Sequence, residues 1–354
     1  MLKAGKPLLR RRTLKSNIKT LETMAITAAD VMKLRKMTSA GMMDCKKALE
    51  EAQGDFDKAI GIIREKGKLV AAKRADRETT EGAVKARIDG NKAILVCLGC
   101  ETDFVSRNAA FQELADAIAD TAIANCPADL EALKACRMAG GETVADAVEA
   151  QTGKTGEKHV LAFYSLIEAP FVAQYIHTLN GKLGAIVGFN KSVDAELAKG
   201  IVMQVASMNP VSISAEDCPK EVLENEKKVA IEKTKDEQVQ KAVDAALKKA
   251  GINPAHVDSE DHIESNTAKG WITPEQAALA RKIIAEVGAE KAANLPAQMI
   301  ENIANGRVQK FLKENTLVEQ EYQMGDGKQT VREALAQAGA DVKVTAFKRF
   351  SLND

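Results

Sequence analysis

The chain has 354 residues, with 50 Lys and Arg balanced by 50 Asp and Glu, so its formal net charge is zero. A hydrophobic fraction of 45% and a charged fraction of 28% are ordinary for a globular protein, and they exclude a wholly disordered chain, a collagen and a disulfide miniprotein. Aromatic residues make up only 4%, with Trp271 the single tryptophan; this argues against a base-stacking platform, and neutrality removes the usual electrostatic case for nucleic-acid binding. Length alone predicts two to three domains of roughly 150 residues.

Residues 1–23 carry seven bases and one acid, Glu22. They read as a basic leader, disordered or outside the native chain, with Met24 as a natural beginning. The remainder then holds 43 bases against 49 acids, a net of −6. No run of 18 apolar residues exists to cross a membrane, and the leader lacks the apolar centre of a secretory signal. The expected localisation is cytoplasmic. The six cysteines, Cys45, Cys97, Cys100, Cys126, Cys136 and Cys218, are scattered, which predicts reduced thiols. The Cys97-x-x-Cys100 pair ends an apolar run and has no second pair at zinc-ribbon spacing, so it reads as buried thiols.

In chain order, residues 27–66 read as three short helices. Thr27 with Asp30 makes a capping-box-like start, and Val31, Leu34 and Met37 follow at helical spacing. Ser39-Ala40-Gly41 breaks the pattern. Asp44 is read as the cap of a second helix carrying Cys45, Ala48, Leu49 and Ala52, stopped by Gly54. Asp55 caps a third, with Phe56, Ala59, Ile60 and Ile63 on one face, ended by Gly67. The charged, Ala-rich stretch 68–80 reads as a linker. The period then changes. Residues 82–88 and 92–98 form strands around Asp89-Gly90-Asn91, and a helix follows over 108–125 with Phe111, Leu114 and Ile118 inward. The pattern recurs: strands over 171–178 and 183–189 flank Asn180-Gly181, and a helix spans 194–208. Hairpin-then-helix appearing twice predicts an α+β fold with two related subdomains.

Residues 216–315 show no strand signal. Helices are predicted over 220–250, 274–287 and 296–313, with Pro274 and Pro296 in first turns. The first has only a thin apolar stripe, which suits an antiparallel helical arm standing off the body. Residues 251–273 read as an irregular loop near its tip. At the end, 331–337 is helical and 342–350 alternates like a strand closing a sheet. The domain organisation expected is a leader (1–23), a three-helix module (24–67), a linker (68–80), an N-side core subdomain (81–165), a C-side core subdomain (166–215 and 316–354) and the arm (216–315).

No catalytic signature is present. Gly153–Lys158 and Gly325–Lys328 place glycine and lysine at wrong offsets for a phosphate-binding loop, and His159, His177, His256 and His262 have no partners at metal-ligand spacing. No cofactor is implied. Two features stand out as interaction surfaces. Met42-Met43, read as lying on the loop between the first two helices, either offers an adaptable thioether contact or splits into one packed and one exposed residue. Thr102-Asp103-Phe104-Val105 is either a loop that plugs into a partner or a capping Asp beside a core-facing Phe.

The run from Leu34 to Leu49 (LRKMTSAGMMDCKKAL) and the run Cys100-Glu101-Thr102-Asp103-Phe104-Val105 resemble two hallmark motifs of the bacterial elongation factor Ts family, the guanine-nucleotide exchange factors of elongation factor Tu. Tyr175-Ile176-His177, the stretch Glu301–Phe311 and the ending Thr345–Phe350 extend the similarity along the chain. Ser39 stands where the family usually has Gly, and about 60 residues, roughly 234–295, lengthen the arm.

The resemblance implies that the N-terminal module has a ubiquitin-associated-like fold and docks on elongation factor Tu through Arg35, Met42 and Met43. It implies that Thr102, Asp103, Phe104 and Val105 form a loop that dislocates the partner's magnesium ion, with His177 as a second contact. It further implies no covalent chemistry and no direct nucleotide binding, while composition, charge and hydropathy leave neither nucleic acid nor membrane as an expected partner. A homodimer through core or arm is compatible with it. A reading of another class is a non-catalytic scaffold or chaperone-like partner of a translation GTPase.

Overall fold

A computed structural model describes residues 26–38, 40–179, 181–325, 327 and 329–354. The reading of 1–23 as a leader lies outside the described residues. The chain divides into two compact units, one of residues up to Glu78 with Ala145–His159, the other of Thr79–Val144 with Val160–Asp354.

The first unit contains α1 (Ala28–Thr38), α2 (Met42–Glu51), α3 (Phe56–Lys73) and most of α7 (Val144–Thr155). Thr27 and Asp30 exchange hydrogen bonds at the start of α1: the Thr27 amide donates to the Asp30 carboxylate (3.0 Å), and the Asp30 amide donates to the Thr27 hydroxyl (3.2 Å). Asp55 caps α3 by accepting from the Lys58 amide at 3.1 Å. Between them the chain turns through Gly54 at φ +85°, a left-handed conformation that glycine adopts without strain. Val31, Leu34, Cys45, Ala48, Leu49 and Ala59 form the core.

Two expectations differ from the structure. Helix α2 begins at Met42 with Gly41 as its N-cap, so Asp44 lies inside the first turn and is not the cap. Gly67 does not end α3, which runs on to Lys73. Helix α7 adds a fourth helix to the unit from a distant stretch of chain. It completes the unit where Gly153 and Gly67 let two backbones meet: a Cβ on Gly153 would sit 2.9 Å from the Gly67 Cα.

The second unit holds two three-stranded sheets, one ordered β1 (Glu81–Asp89), β2 (Lys92–Cys100), β3 (His159–Glu168), the other β4 (Phe171–Ile176), β5 (Leu183–Phe189), β6 (Val344–Ser351). Strands β1 and β2 pair from Glu81↔Cys100 to Asp89↔Lys92, leaving Gly90-Asn91 as a two-residue turn with Gly90 at φ +56°. Every residue of β2 after Lys92 is buried. Its alternate side chains Ala93, Leu95 and Cys97 meet Ile167, Val172 and Ile186 in a core between the sheets. On β1 and β2 packs α5 (Ala109–Asn125), with Phe111, Ala115 and Ile118 fully buried. Lys85 and Arg87 of β1 hold α5 through Asp116 (2.9 and 2.8 Å) and Asp120 (2.7 Å). Helix α8 (Ala195–Met208), capped by Asp194, covers the second sheet with α13 (Val331–Ala338) around Phe189, Ile201, Val205 and Leu335. The overall class is α+β, as expected.

Short helices α4 (Asp103–Ser106) and α6 (Leu130–Ala135) lie between β2 and α7. The arm comprises α9 (Lys220–Lys249), α10 (Glu260–Ala268), α11 (Pro274–Ala293) and α12 (Ala297–Asn315). Both α11 and α12 pack on α9. Residues 251–273 are not an irregular loop. A 3-10 turn at Pro254–His256 and Ser259-capped α10 pack Ile252, Val257, Ile263 and Ile272 against Val243 and Leu247, giving the distal part of the arm its own small core.

Candidate partner-docking site

Beyond β2 the chain makes a hydrogen-bonded bend. The Cys100 thiol reaches the Thr102 carbonyl at 3.3 Å, Thr102 is extended, and Asp103–Ser106 forms the single turn α4. Backbone amides of Ser106 and Arg107 donate to the carbonyls of Thr102 (3.1 Å) and Asp103 (3.0 Å). The buried Ser106 hydroxyl also donates to Asp103 O at 3.1 Å, and the side-chain Nε2 of Gln112 on α5 donates to Ser106 O at 2.6 Å. The Asn108 side chain caps α5 by accepting from the Ala110 amide at 2.9 Å. The turn is thus fixed from both ends.

Phe104 stands on this turn with 86% of its surface exposed. It does not face the core; Phe111, seven residues on, does. Asp103 is not a cap either, since Thr102 occupies that position and Asp103 begins the turn. The Asp103 carboxylate pairs only loosely with the exposed Arg107, at 3.3 Å. Such an exposed pair holds about 0–1 kcal/mol, so the carboxylate is readily redirected to another partner. Val105 is half-buried.

His177 follows β4, half-buried. Its amide donates to Leu183 O at 2.8 Å, its carbonyl accepts from Gly181 N at 2.9 Å, and its Nδ1 accepts from the Leu179 amide at 3.3 Å. Thr102–Val105 and His177 belong to the second unit. Arg35, Met42 and Met43 belong to the first. Arg35 is exposed in the last turn of α1, and Met42 and Met43 are 52% and 62% exposed in the first turn of α2. These methionines are therefore helical, not on a loop. Neither belongs to the core, where Cys45, Ala48 and Leu49 take the inner face of α2.

The Cys97-x-x-Cys100 pair is buried and unbridged. Burial, reinforced by the neighbouring Cys100, pushes the Cys97 thiol up to about 12, leaving it inert as a nucleophile. Among the described residues no cluster of His, Cys, Asp and Glu could hold a metal ion, and no helix is long and apolar enough to cross a membrane.

The α+β scaffold thus holds an exposed aromatic side chain on a braced turn. Comparison with known proteins gives the family. The family model described as Elongation factor TS matches residues 101–354. Elongation factor Ts of Bacteroides fragilis is 57% identical over 329 residues, covering 93% of this chain and 99% of its own. Its namesake from Bacteroides thetaiotaomicron is also 57% identical with the same coverage, and that of Christiangramia forsetii is 38% identical over 92% of this chain and 98% of its own. The chain belongs to the elongation factor Ts family, whose members are translation elongation factors and exchange factors, not enzymes of covalent chemistry. An alignment of 329 residues in a 354-residue chain necessarily takes in the arm, so its length is shared with these relatives.

Proposed function

We propose that this chain binds elongation factor Tu in its GDP-bound form, in the cytoplasm, and promotes GDP release so that GTP can rebind. The observation that carries this reading is Phe104, 86% exposed on a turn braced by Ser106 and Gln112 and preceded by the loosely paired Asp103. A phenylalanine kept out of the core leaves about 2–3 kcal/mol of burial free energy for a partner to recover. Phe104 enters an apolar gap between the switch-region helices of the GTPase, and Asp103 disturbs the water shell of the magnesium ion. His177 adds a second contact, and Arg35, Met42 and Met43 dock the N-terminal unit.

No covalent step is required. GDP is held largely through magnesium and phosphate-loop contacts. A protein that prefers the nucleotide-free conformation of the GTPase weakens nucleotide binding by the factor by which the nucleotide weakens its own binding. The chain then needs no nucleotide site of its own. The test is release of fluorescent GDP from elongation factor Tu by the wild type and by Asp103→Ala/Phe104→Ala. Release should fall at least tenfold in the double variant; undiminished release removes the mechanism.

A further inference from the structure

Leu179 and Phe104, at 89% and 86%, are the two most exposed large apolar side chains among the described residues; the next, Leu69, is 63% exposed. They lie far apart in sequence, but the fold brings their anchors together. Phe104 follows closely on Cys100, the last residue of β2, which pairs with Glu81 at the start of β1. Leu179 lies in the tip between β4 and β5. That tip is fixed to the same end of β1: Lys182 donates to the Glu81 carboxylate, and the Val84 amide donates to Gly181 O at 2.7 Å. Gly184, at the start of β5, packs so closely that a Cβ there would lie 2.9 Å from Val84 Cγ1 and 3.0 Å from Leu95 Cδ1.

The tip is also braced internally. His177 holds Leu183, Gly181 and the Leu179 amide by three hydrogen bonds. A tight turn normally carries polar residues. A leucine that is 89% exposed buries little in its own chain, so folding does not account for it.

We infer that Leu179 is a second apolar probe, which enters a pocket on the same GTPase partner that receives Phe104. This rests on the exchange-factor reading above. Leu179 carries neither charge nor hydrogen-bonding group, so it has no means of acting on magnesium or phosphate. It is an affinity-determining residue, whereas Asp103 acts on the nucleotide site.

The two roles separate in the concentration dependence of fluorescent-GDP release from elongation factor Tu. Leu179→Ala should raise the half-saturating concentration about tenfold, the size expected for losing one buried leucine at an interface, and leave the plateau rate unchanged. Leu179→Asp should raise it further, because it brings a charge to an apolar pocket. An unchanged half-saturation in both Leu179 variants, with Phe104→Ala raising it, overturns the inference and leaves the exchange-factor reading standing. A fall in plateau at constant half-saturation overturns it as well. If Phe104→Ala also has no effect, the exchange-factor reading falls first and takes this inference with it. Photo-crosslinking from a benzoylphenylalanine at position 179 supplies a second measurement. The partner should be captured there, and absence of capture in a saturated complex counts against the pocket.

Discussion

Glu81 and Lys182 form an ion pair in which each side chain is only about one-fifth exposed (21% and 19%), and it joins the first strand of one sheet to the tip of the hairpin that begins the other. Removing one member leaves a poorly hydrated charge facing a neutral group. Glu81→Gln should therefore cost about 1–3 kcal/mol of unfolding free energy. The double replacement Glu81→Gln/Lys182→Met, which removes both charges, should recover most of that loss. A urea-denaturation cycle of the wild type, both single variants and the double variant measures the coupling. Additive losses would show that the pair does not act as a unit.

Phe104 and Phe111 sit seven residues apart on opposite sides of the fold's boundary with water, so the same substitution should do opposite things. Phe104→Ala removes a ring that touches little of its own chain and should change stability by no more than about 0.5 kcal/mol while depressing exchange. Phe111→Ala empties a fully buried site beneath α5 and should cost about 3–5 kcal/mol. Thermal unfolding and the nucleotide-release assay, run side by side, test both. A large fall in melting temperature for Phe104→Ala would mean that the ring belongs to the core.

Features fixed by local chemistry were legible in the sequence. The Thr27 and Asp30 cap, Asp55 as a helix start, Gly90 in a two-residue turn and the α5 face built on Phe111 all depend on a few adjacent residues. Features decided by distant partners were not. Strand β3 alternates poorly, because most of its side chains are only half-buried. Helix α10 is short and polar; it buries only Ile263 and Asn266, and an ion pair from Glu260 to Arg281 of α11 helps hold it in the arm. Within the candidate site, Thr102–Val105 stood out as a motif, but its geometry did not. The residues alone left Phe104 open between a core-facing ring and one turned outward, and the short turn held by the Ser106 and Gln112 hydrogen bonds, with the ring 86% exposed, is what decides for the second. Leu179 has one signal in the sequence, an apolar residue immediately before Asn180-Gly181.

The contact between β1 and α5 should carry an acid-sensitive contribution. Burial alone pushes the Asp116 carboxyl up, but hydrogen bonds from Arg87 and Lys85 outweigh it and hold it below the ordinary carboxylate range. A folded-state pKa below the unfolded one adds stability that is complete above the unfolded value and is lost as pH falls through the folded value. Wild-type stability should therefore decline from about pH 5 downward, and Asp116→Asn should show a shallower decline from a lower starting point. Urea midpoints measured across that range check the sign. An identical acid slope in the variant would exclude Asp116 from the effect.

Gly67 of α3 and Gly153 of α7 make one helix crossing, and they should respond differently to the same added methyl group. A Cβ on Gly153 would lie 2.9 Å from the Gly67 Cα, which is backbone and cannot swing aside. Gly153→Ala should then force the helices apart and cost about 1–3 kcal/mol. A Cβ on Gly67 meets Glu149 O and the Gly153 Cα at 3.8 Å, ordinary contact distances. Gly67 also lies well inside α3, where alanine is favoured over glycine by about 0.5–1 kcal/mol. Gly67→Ala should be neutral or stabilising by up to that amount. The measurement is the thermal midpoint of each variant in the full chain. Equal losses for the two would show that the crossing is closer at Gly67 than its contacts allow, and equal gains would show that the helices separate without cost.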